Sequence, residues 1–266
     1  MLPALCYDFN HAPIWQRRLR VWDQELRAAS ADRLLFLALH RLGWMGAEEA
    51  ALFRRLVQPG MRIVDIGANI GLYSLLLARL TSANGRVYSF EPETNLCATL
   101  RENCAANRAD NVTIFQAAAG AKAGRMLLQR SPFNSGNNSL GQNQAGADAL
   151  EVEIVTVDSV LPERVVDFVK IDVQGHELAA LSGMDETLAA SPRARIFFEF
   201  WPAGLRAAGA SAEALLELLR TRGFEIYRPA KNAFQPLPDA QPLVRQLGRN
   251  GYTNLLAARP GVLDEN

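Results

Sequence analysis

Two periods divide the chain. Up to about residue 58 the apolar positions recur every three to four residues. Trp15, Leu19, Trp22 and Leu26 interleave with arginines across Ile14 to Ala29, and Leu52, Phe53 and Leu56 repeat the pattern before Pro59-Gly60. That spacing predicts amphipathic helices, so 1–58 reads as an N-terminal helical segment packed on the core of the remaining chain. Beyond it, short apolar runs take over. Arg62 to Asp65, Arg86 to Phe90, Asn111 to Phe115, Val165 to Val173, Ala194 to Phe200, Phe224 to Tyr227 and Thr253 to Ala258 have the length of buried strands. Helical patterns come after most of them, at Leu72 to Leu80, Glu93 to Asn107, from about His176, and at Ala212 to Arg222. Strands alternating with helices predict an α/β fold over 59–266, its parallel sheet covered on both faces. One stretch breaks the alternation. Gly124 to Gln129 and Leu150 to Val157 read as the strands of an inserted hairpin, 124–157, around a run rich in Asn, Gly, Ser and Gln. So long a polar loop is expected to be a working or mobile part, and Ser135 to Ser139 is the candidate lid.

Composition narrows the class. With 266 residues, 49% of them hydrophobic, the chain can bury one large core or two small ones. Its 28 basic and 28 acidic residues cancel, which argues against a partner bound by phosphate neutralisation, and so against nucleic acid. No apolar run approaches the ~18 residues of a membrane span; the best, Leu34 to Leu39, stops at His40. The N-terminus lacks the basic-then-apolar order of a signal peptide. Cys6, Cys97 and Cys104 are too few and scattered for a disulfide framework. A cytoplasmic globular protein is expected, with Cys97 and Cys104 as buried small hydrophobes on one helix face.

In an open parallel sheet ligands bind at the carboxyl ends of the strands. After the first strand comes Asp65-Ile66-Gly67-Ala68-Asn69-Ile70-Gly71, where two glycines permit a sharp turn and the next helix offers free N–H groups. A dinucleotide fingerprint needs glycine where Asn69 and Leu72 stand, so the nicotinamide reading fails. After the second strand comes Glu91, placed to accept hydrogen bonds from ribose hydroxyls. The fourth ends in Lys170-Ile171-Asp172-Val173-Gln174-Gly175-His176-Glu177. There Asp172, His176 and Glu177 gather titratable groups, and histidine has the ordinary pKa nearest neutrality. Glu199, inside Ile196-Phe197-Phe198-Glu199-Phe200-Trp201, is a carboxylate in an apolar strand and so needs a partner or a task.

These runs, with Phe90-Glu91-Pro92, Glu199-Phe200-Trp201-Pro202 and Asn254-Leu255-Leu256-Ala257, resemble the FkbM family of S-adenosylmethionine-dependent methyltransferases. The departures are Gln174, where the family commonly has Glu, and His176, where it commonly has a small residue. The resemblance implies a class I, Rossmann-like sheet of about seven strands with the last antiparallel. It implies S-adenosylmethionine in the cleft, with its methionine end held by Asp65, Gly67, Ala68, Asn69 and Gly71. Glu91 would take the ribose, Gln116-Ala117-Ala118 would flank the adenine, and Asp172 would orient the cofactor amine. The acceptor would be a small molecule or a glycan, methylated on a hydroxyl oxygen of a sugar or natural product. The alternatives are N-methylation of a peptide or small molecule and a non-catalytic cofactor-binding domain. His176 is the first candidate base, with Asp172 or Glu177 behind it. A divalent metal held by Asp172 and Glu199 is the other way to activate a hydroxyl, but two carboxylates are a thin ligand set and none is expected. Homodimerisation stays open.

Overall fold

The computed structural model describes residues 18–27, 46–130, 138–140, 149–230 and 233–264. The first of them correct the helical reading of Ile14 to Ala29. β1 (Arg18–Val21) and β2 (Gln24–Arg27) form an antiparallel hairpin. Leu19, Val21 and Leu26 face inward while Arg20 and Arg27 are exposed, a period of two that overrides the helical spacing. Trp22 and Asp23 close the turn, both with positive φ (49° and 65°), the twist a two-residue hairpin loop requires. α1 (Ala47–Leu56) is helical as expected.

The main chain of strands and helices then tracks the predicted runs. β3 (Arg62–Ile66), α2 (Leu72–Thr81), β4 (Arg86–Phe90), α3 (Thr94–Ala106) and β5 (Val112–Phe115) come first. β6 (Ala118–Ala119) precedes the insertion, which contributes β7 (Gly124–Gln129), β8 (Ser139–Leu140) and β9 (Ala149–Val155). α4 (Val157–Val160), β10 (Phe168–Ile171), α5 (Glu177–Ser182), α6 (Asp185–Ala189) and β11 (Arg195–Phe200) return to the sheet. α7 (Pro202–Ala207), α8 (Ala212–Thr221), β12 (Glu225–Ala230), β13 (Ala233–Pro236), α9 (Gln241–Leu247) and β14 (Thr253–Ala258) complete it.

The central sheet has the order β13-β12-β14-β11-β10-β3-β4-β5. β5, β4, β3, β10 and β11 are parallel, and β14 is antiparallel to both its neighbours. The seven expected strands are therefore present, and β13 adds an eighth at the edge, antiparallel to β12. The strand order reverses between β3 and β10, which is where a doubly wound sheet opens its ligand crevice. The insertion's strands and β6 form a second sheet, β6-β9-β7-β8. Most of the candidate lid lies outside the described residues, as do the run Leu34 to Leu39 and Cys6. No helix among the described residues is long and apolar enough to cross a membrane.

Both faces of the sheet are apolar. Val64, Ile66, Ile171, Phe198 and Phe200 pack under α5 and α8, whereas Ile63, Val87, Phe168, Phe197 and Leu256 pack against Phe53 of α1 and Leu76 of α2. Cys97 and Cys104 are both buried on α3. Two asparagines of α3 also hold the hairpin. Asn107 accepts from the Glu25 N–H at 2.9 Å and donates to its carbonyl at 2.6 Å. Asn103 does the same for Arg27 at 2.8 and 3.1 Å, and its amide also donates to the Ile70 carbonyl at 2.8 Å.

Candidate functional site

Alternation along the strands puts the buried polar residues on one face. Ser89, Asp65 and Lys170 occupy matching positions on β4, β3 and β10. Glu199 lies opposite Asn254 on β14, one step past the position paired with Ile171 and so level with Asp172. A polar row thus crosses the carboxyl ends of apolar strands. Its floor is tightly bonded. The Asp65 carboxylate accepts from Ser74 Oγ at 2.6 Å, and Ser89 Oγ donates to Ser74 at 2.9 Å. Lys170 Nζ stands 3.3 Å from Asp65 and 4.0 Å from Asp172, donates to the Gly67 carbonyl at 3.1 Å, and lies over the Tyr73 ring. Burial alone would push this ammonium down, but Asp65 and Asp172 outweigh it and the net shift is upward.

Above the floor runs the glycine turn, with φ of +80° at Gly67, 52° at Asn69 and +94° at Gly71. Packing by itself demands glycine at 67. A Cβ there would stand 2.0 Å from the Asp172 backbone oxygen, so the two strand-end turns touch. Gly71 caps α2, and its Cβ would meet a methyl of Leu100 at 2.4 Å.

Two cavities open from this point. The first is a narrow slot of about 100 Å³, walled by Phe90, Leu96, Ala118, Ala119, Leu128 and Leu140 and bounded by Glu91. Glu91 is buried; its two oxygens accept from the Asn69 and Glu93 N–H groups, each at 2.9 Å. Burial pushes its carboxyl up to about 7 despite those bonds. Each oxygen keeps a free lone pair. Apolar walls suit a purine and a buried acceptor pair suits a vicinal diol, so the slot's residues fit the nucleoside of S-adenosylmethionine. Of the run 116–118, only Ala118 lines the slot; Ala119 continues its wall and Ala117 is buried beside it.

The second cavity is an open cleft of about 600 Å³, lined among others by Glu49, Ala68, Tyr73, Lys170, Glu199, Trp201 and Tyr252. It shares Gly67, Asn69, Asp172 and Gln174 with the slot. The Gln174 amide nitrogen donates to Asp172 Oδ1 at 3.0 Å and Glu199 Oε2 at 2.9 Å. Burial, then the charges of Asp172 and Glu177, push the Glu199 carboxyl up to about 8. Burial and the nearby Glu49, Asp172 and Asp65 push the Tyr73 phenol well above its ordinary range, so it stays a donor.

The remaining candidates separate. His176 lines the slot and not the cleft; its Nε2 is 2.7 Å from the Leu140 carbonyl on the insertion, and burial lowers its pKa. Facing a carbonyl oxygen, Nε2 is the donor nitrogen, which leaves Nδ1 as the basic one. Glu177 is fully buried and reaches neither cavity. Its Oε1 accepts from the Val173 and Gly175 N–H groups at 3.3 and 3.0 Å, and burial pushes it up to about 7. It fastens the 173–177 turn. Asp65 and Gly71 likewise lie behind the cavity walls. No group of three or more His, Cys, Asp or Glu among the described residues is arranged to hold a metal ion. Lys170 and Gln174 carried no expectation, although a lysine within the apolar strand Phe168 to Ile171 signals a buried acidic partner.

Residues 65–226 match the methyltransferase FkbM domain. The chain is 32% identical over 200 residues to methyltransferase sdnD of Sordaria araneosa, spanning 62% of this chain and 74% of that one. It is 27% identical over 161 residues to the 31-O-demethyl-FK506 methyltransferase FkbM of Streptomyces tacrolimicus, across 49% and 62% of the two. To the hexuronic acid methyltransferase AglP of Haloferax volcanii it is 29% identical over 128 residues, across 47% and 50%. The crystal structure of an rRNA methylase from Clostridium thermocellum covers 80% of this chain and 95% of its own at a TM-score of 0.50, with 14% identity, a likeness of fold alone.

Proposed function

The chain belongs to the FkbM family of methyltransferases, and from that premise we propose that it methylates a hydroxyl oxygen of a sugar or natural-product acceptor, using S-adenosylmethionine. One observation carries the reading: a slot bounded by the buried Glu91 and a cleft lined by Asp172 and the buried Glu199 meet at Gly67, Asn69, Asp172 and Gln174. In this reading the slot holds the adenosine, with the ribose hydroxyls on Glu91. The methionine end lies along Gly67, Ala68 and Asn69, with Asp172 for its ammonium. Asp65 and Gly71 shape that turn from behind. When bound, S-adenosylmethionine supplies the methyl group and keeps the bonding electron pair on sulfur.

The rest is positioning and a proton. A hydroxyl attacks well only if a base takes its proton as the new bond forms. Asp172 and Glu199 face the cleft, and a carboxyl near 8 is matched to that work. His176 and Glu177 do not line it, so we assign the base to the carboxylate pair. His176 then closes the slot by binding the insertion through Leu140. A neighbouring groove of about 500 Å³ shares Glu49, Phe197 and Asn254 with the cleft. This supports an acceptor of more than one ring, in keeping with a relative named for an O-demethyl compound.

The test is methyl transfer from labelled S-adenosylmethionine to glycans, sugar nucleotides and macrolactones, with mass spectrometry of the products. A methyl ether on one of them is expected. Transfer only to amines, or no saturable cofactor binding by calorimetry, refutes the reading.

A further inference from the structure

Gln174 stands between the two proposed base groups with its backbone held left-handed, φ 51°. An amide nitrogen has two N–H bonds, and here one goes to each carboxylate, at 3.0 Å to Asp172 and 2.9 Å to Glu199. Two acids this close repel unless a proton, a cation or a shared donor lies between them. Lys170 does not fill that place, being 3.3 Å from Asp65, 4.0 Å from Asp172 and bonded to the Gly67 carbonyl. The other groups around Glu199 are Glu177 of α5 and Asn254 of β14, whose amide donates to Glu49 of α1. Neither supplies a positive charge.

We infer that Gln174 is a positioning residue whose amide takes the place of a divalent cation between Asp172 and Glu199. The inference rests on the proposed use of that pair as the base. An amide donor orients both carboxylates and leaves their outer oxygens able to accept the acceptor's proton. A cation at the same point would instead consume their charge and activate the hydroxyl as a Lewis acid. Exchanging the amide for a carboxylate reverses the polarity of the contact. Gln174→Glu would converge three acids on one point, the oxygen-rich set a hard cation takes, and the present spacings of 3.0 and 2.9 Å are those of neighbouring oxygens on an octahedral magnesium with bonds of about 2.1 Å.

Two measurements on the intact protein test this without turnover, so their failure is distinct from failure of the proposed function. In the first, glutamine side chains are labelled with ¹⁵N and the Gln174 amide signal is assigned by its loss in Gln174→Met. Asp172→Asn and Glu199→Gln are each expected to shift a different one of its two proton resonances. If neither shifts, the clamp does not exist. The second is calorimetric titration with manganese chloride. Wild type is expected to give no saturable heat, Gln174→Glu to bind, and Gln174→Glu combined with Glu199→Gln to lose binding again. Saturable binding to wild type that Glu199→Gln removes would overturn the inference. So would a folded Gln174→Glu, checked by circular dichroism, that binds nothing.

Discussion

Glu91→Gln is ordinarily a mild change, but here its effect should reverse with pH. Both carboxylate oxygens accept backbone N–H bonds at 2.9 Å, from Asn69 and Glu93. Glutamine has one acceptor oxygen, so its NH₂ would face a buried N–H and leave it unpaired, costing about 1–3 kcal/mol. Against this stands the burial of the charge. The folded-state pKa is raised from an ordinary 4.5 to about 7, so between those values the folded chain binds the extra proton. Stability contributed by this group is therefore present at low pH and lost as pH rises toward 7. At about 1.4 kcal/mol per pH unit, wild type loses roughly 3 kcal/mol between pH 5 and pH 8 through this residue, and the variant loses none. Glu91→Gln should thus destabilise by about 1–3 kcal/mol at pH 5, some 2–10 °C in Tm, and match or exceed wild type at pH 8. Urea denaturation at the two pH values measures it, since other titrating groups cancel in the difference. An equal effect at both would refute the account. Cofactor affinity should fall ~10-fold or more at either pH, because ribose hydroxyls lose an acceptor.

Gly67→Ala should lower stability by more than about 3 kcal/mol, since strained φ adds to the contact with Asp172. Gly60→Ala, also at positive φ but with open space around it, should lose only about 1–2 kcal/mol; similar melting temperatures for the two would contradict the packing. Lys170→Met should destabilise by about 3–5 kcal/mol by stranding the buried Asp65, with Asp65→Asn restoring part of it in a double-mutant cycle. Glu199→Gln should lower kcat ~10²-fold with cofactor affinity unchanged, and wild-type kcat should rise with pH through about 8 as the base ionises. His176→Asn should weaken cofactor binding with little change in kcat; the opposite pattern would return the base to the histidine.

The sheet was legible because its strands are buried on both faces and write themselves as continuous apolar runs, from Ile63 and Val64 to Leu255 and Leu256. The hairpin at its N-terminal side was not. Trp15, Leu19, Trp22 and Leu26 satisfy a helical period, and the turn uses Trp22 and Asp23 at positive φ, where no glycine or asparagine announces it. That the glycine turn and Glu91 stand at the strand ends where the cavities open was legible from their places after strands. Which acids share a cavity was not, because it depends on registry between β10 and β11 and on Leu140, 36 residues before His176. A titratable cluster in sequence divided into a clamp, a turn fastener and a slot wall.

The asparagines of α3 have a geometric consequence. Four residues of helix rise about 6 Å and two residues of strand about 6.8 Å. Asn103 and Asn107 can therefore meet Arg27 and Glu25 as a neighbouring strand would, each amide bonding both the N–H and the carbonyl of its partner. A helix thereby impersonates a strand and occupies the hydrogen bonds by which a foreign β-segment would attach there. The mimicry tolerates no slippage: a one-residue insertion or deletion between the two asparagines, or between Glu25 and Arg27, would uncouple the pairs together. Because Asn103 also grips the Ile70 carbonyl, such a slip would reach the Gly67–Gly71 turn from the N-terminal hairpin.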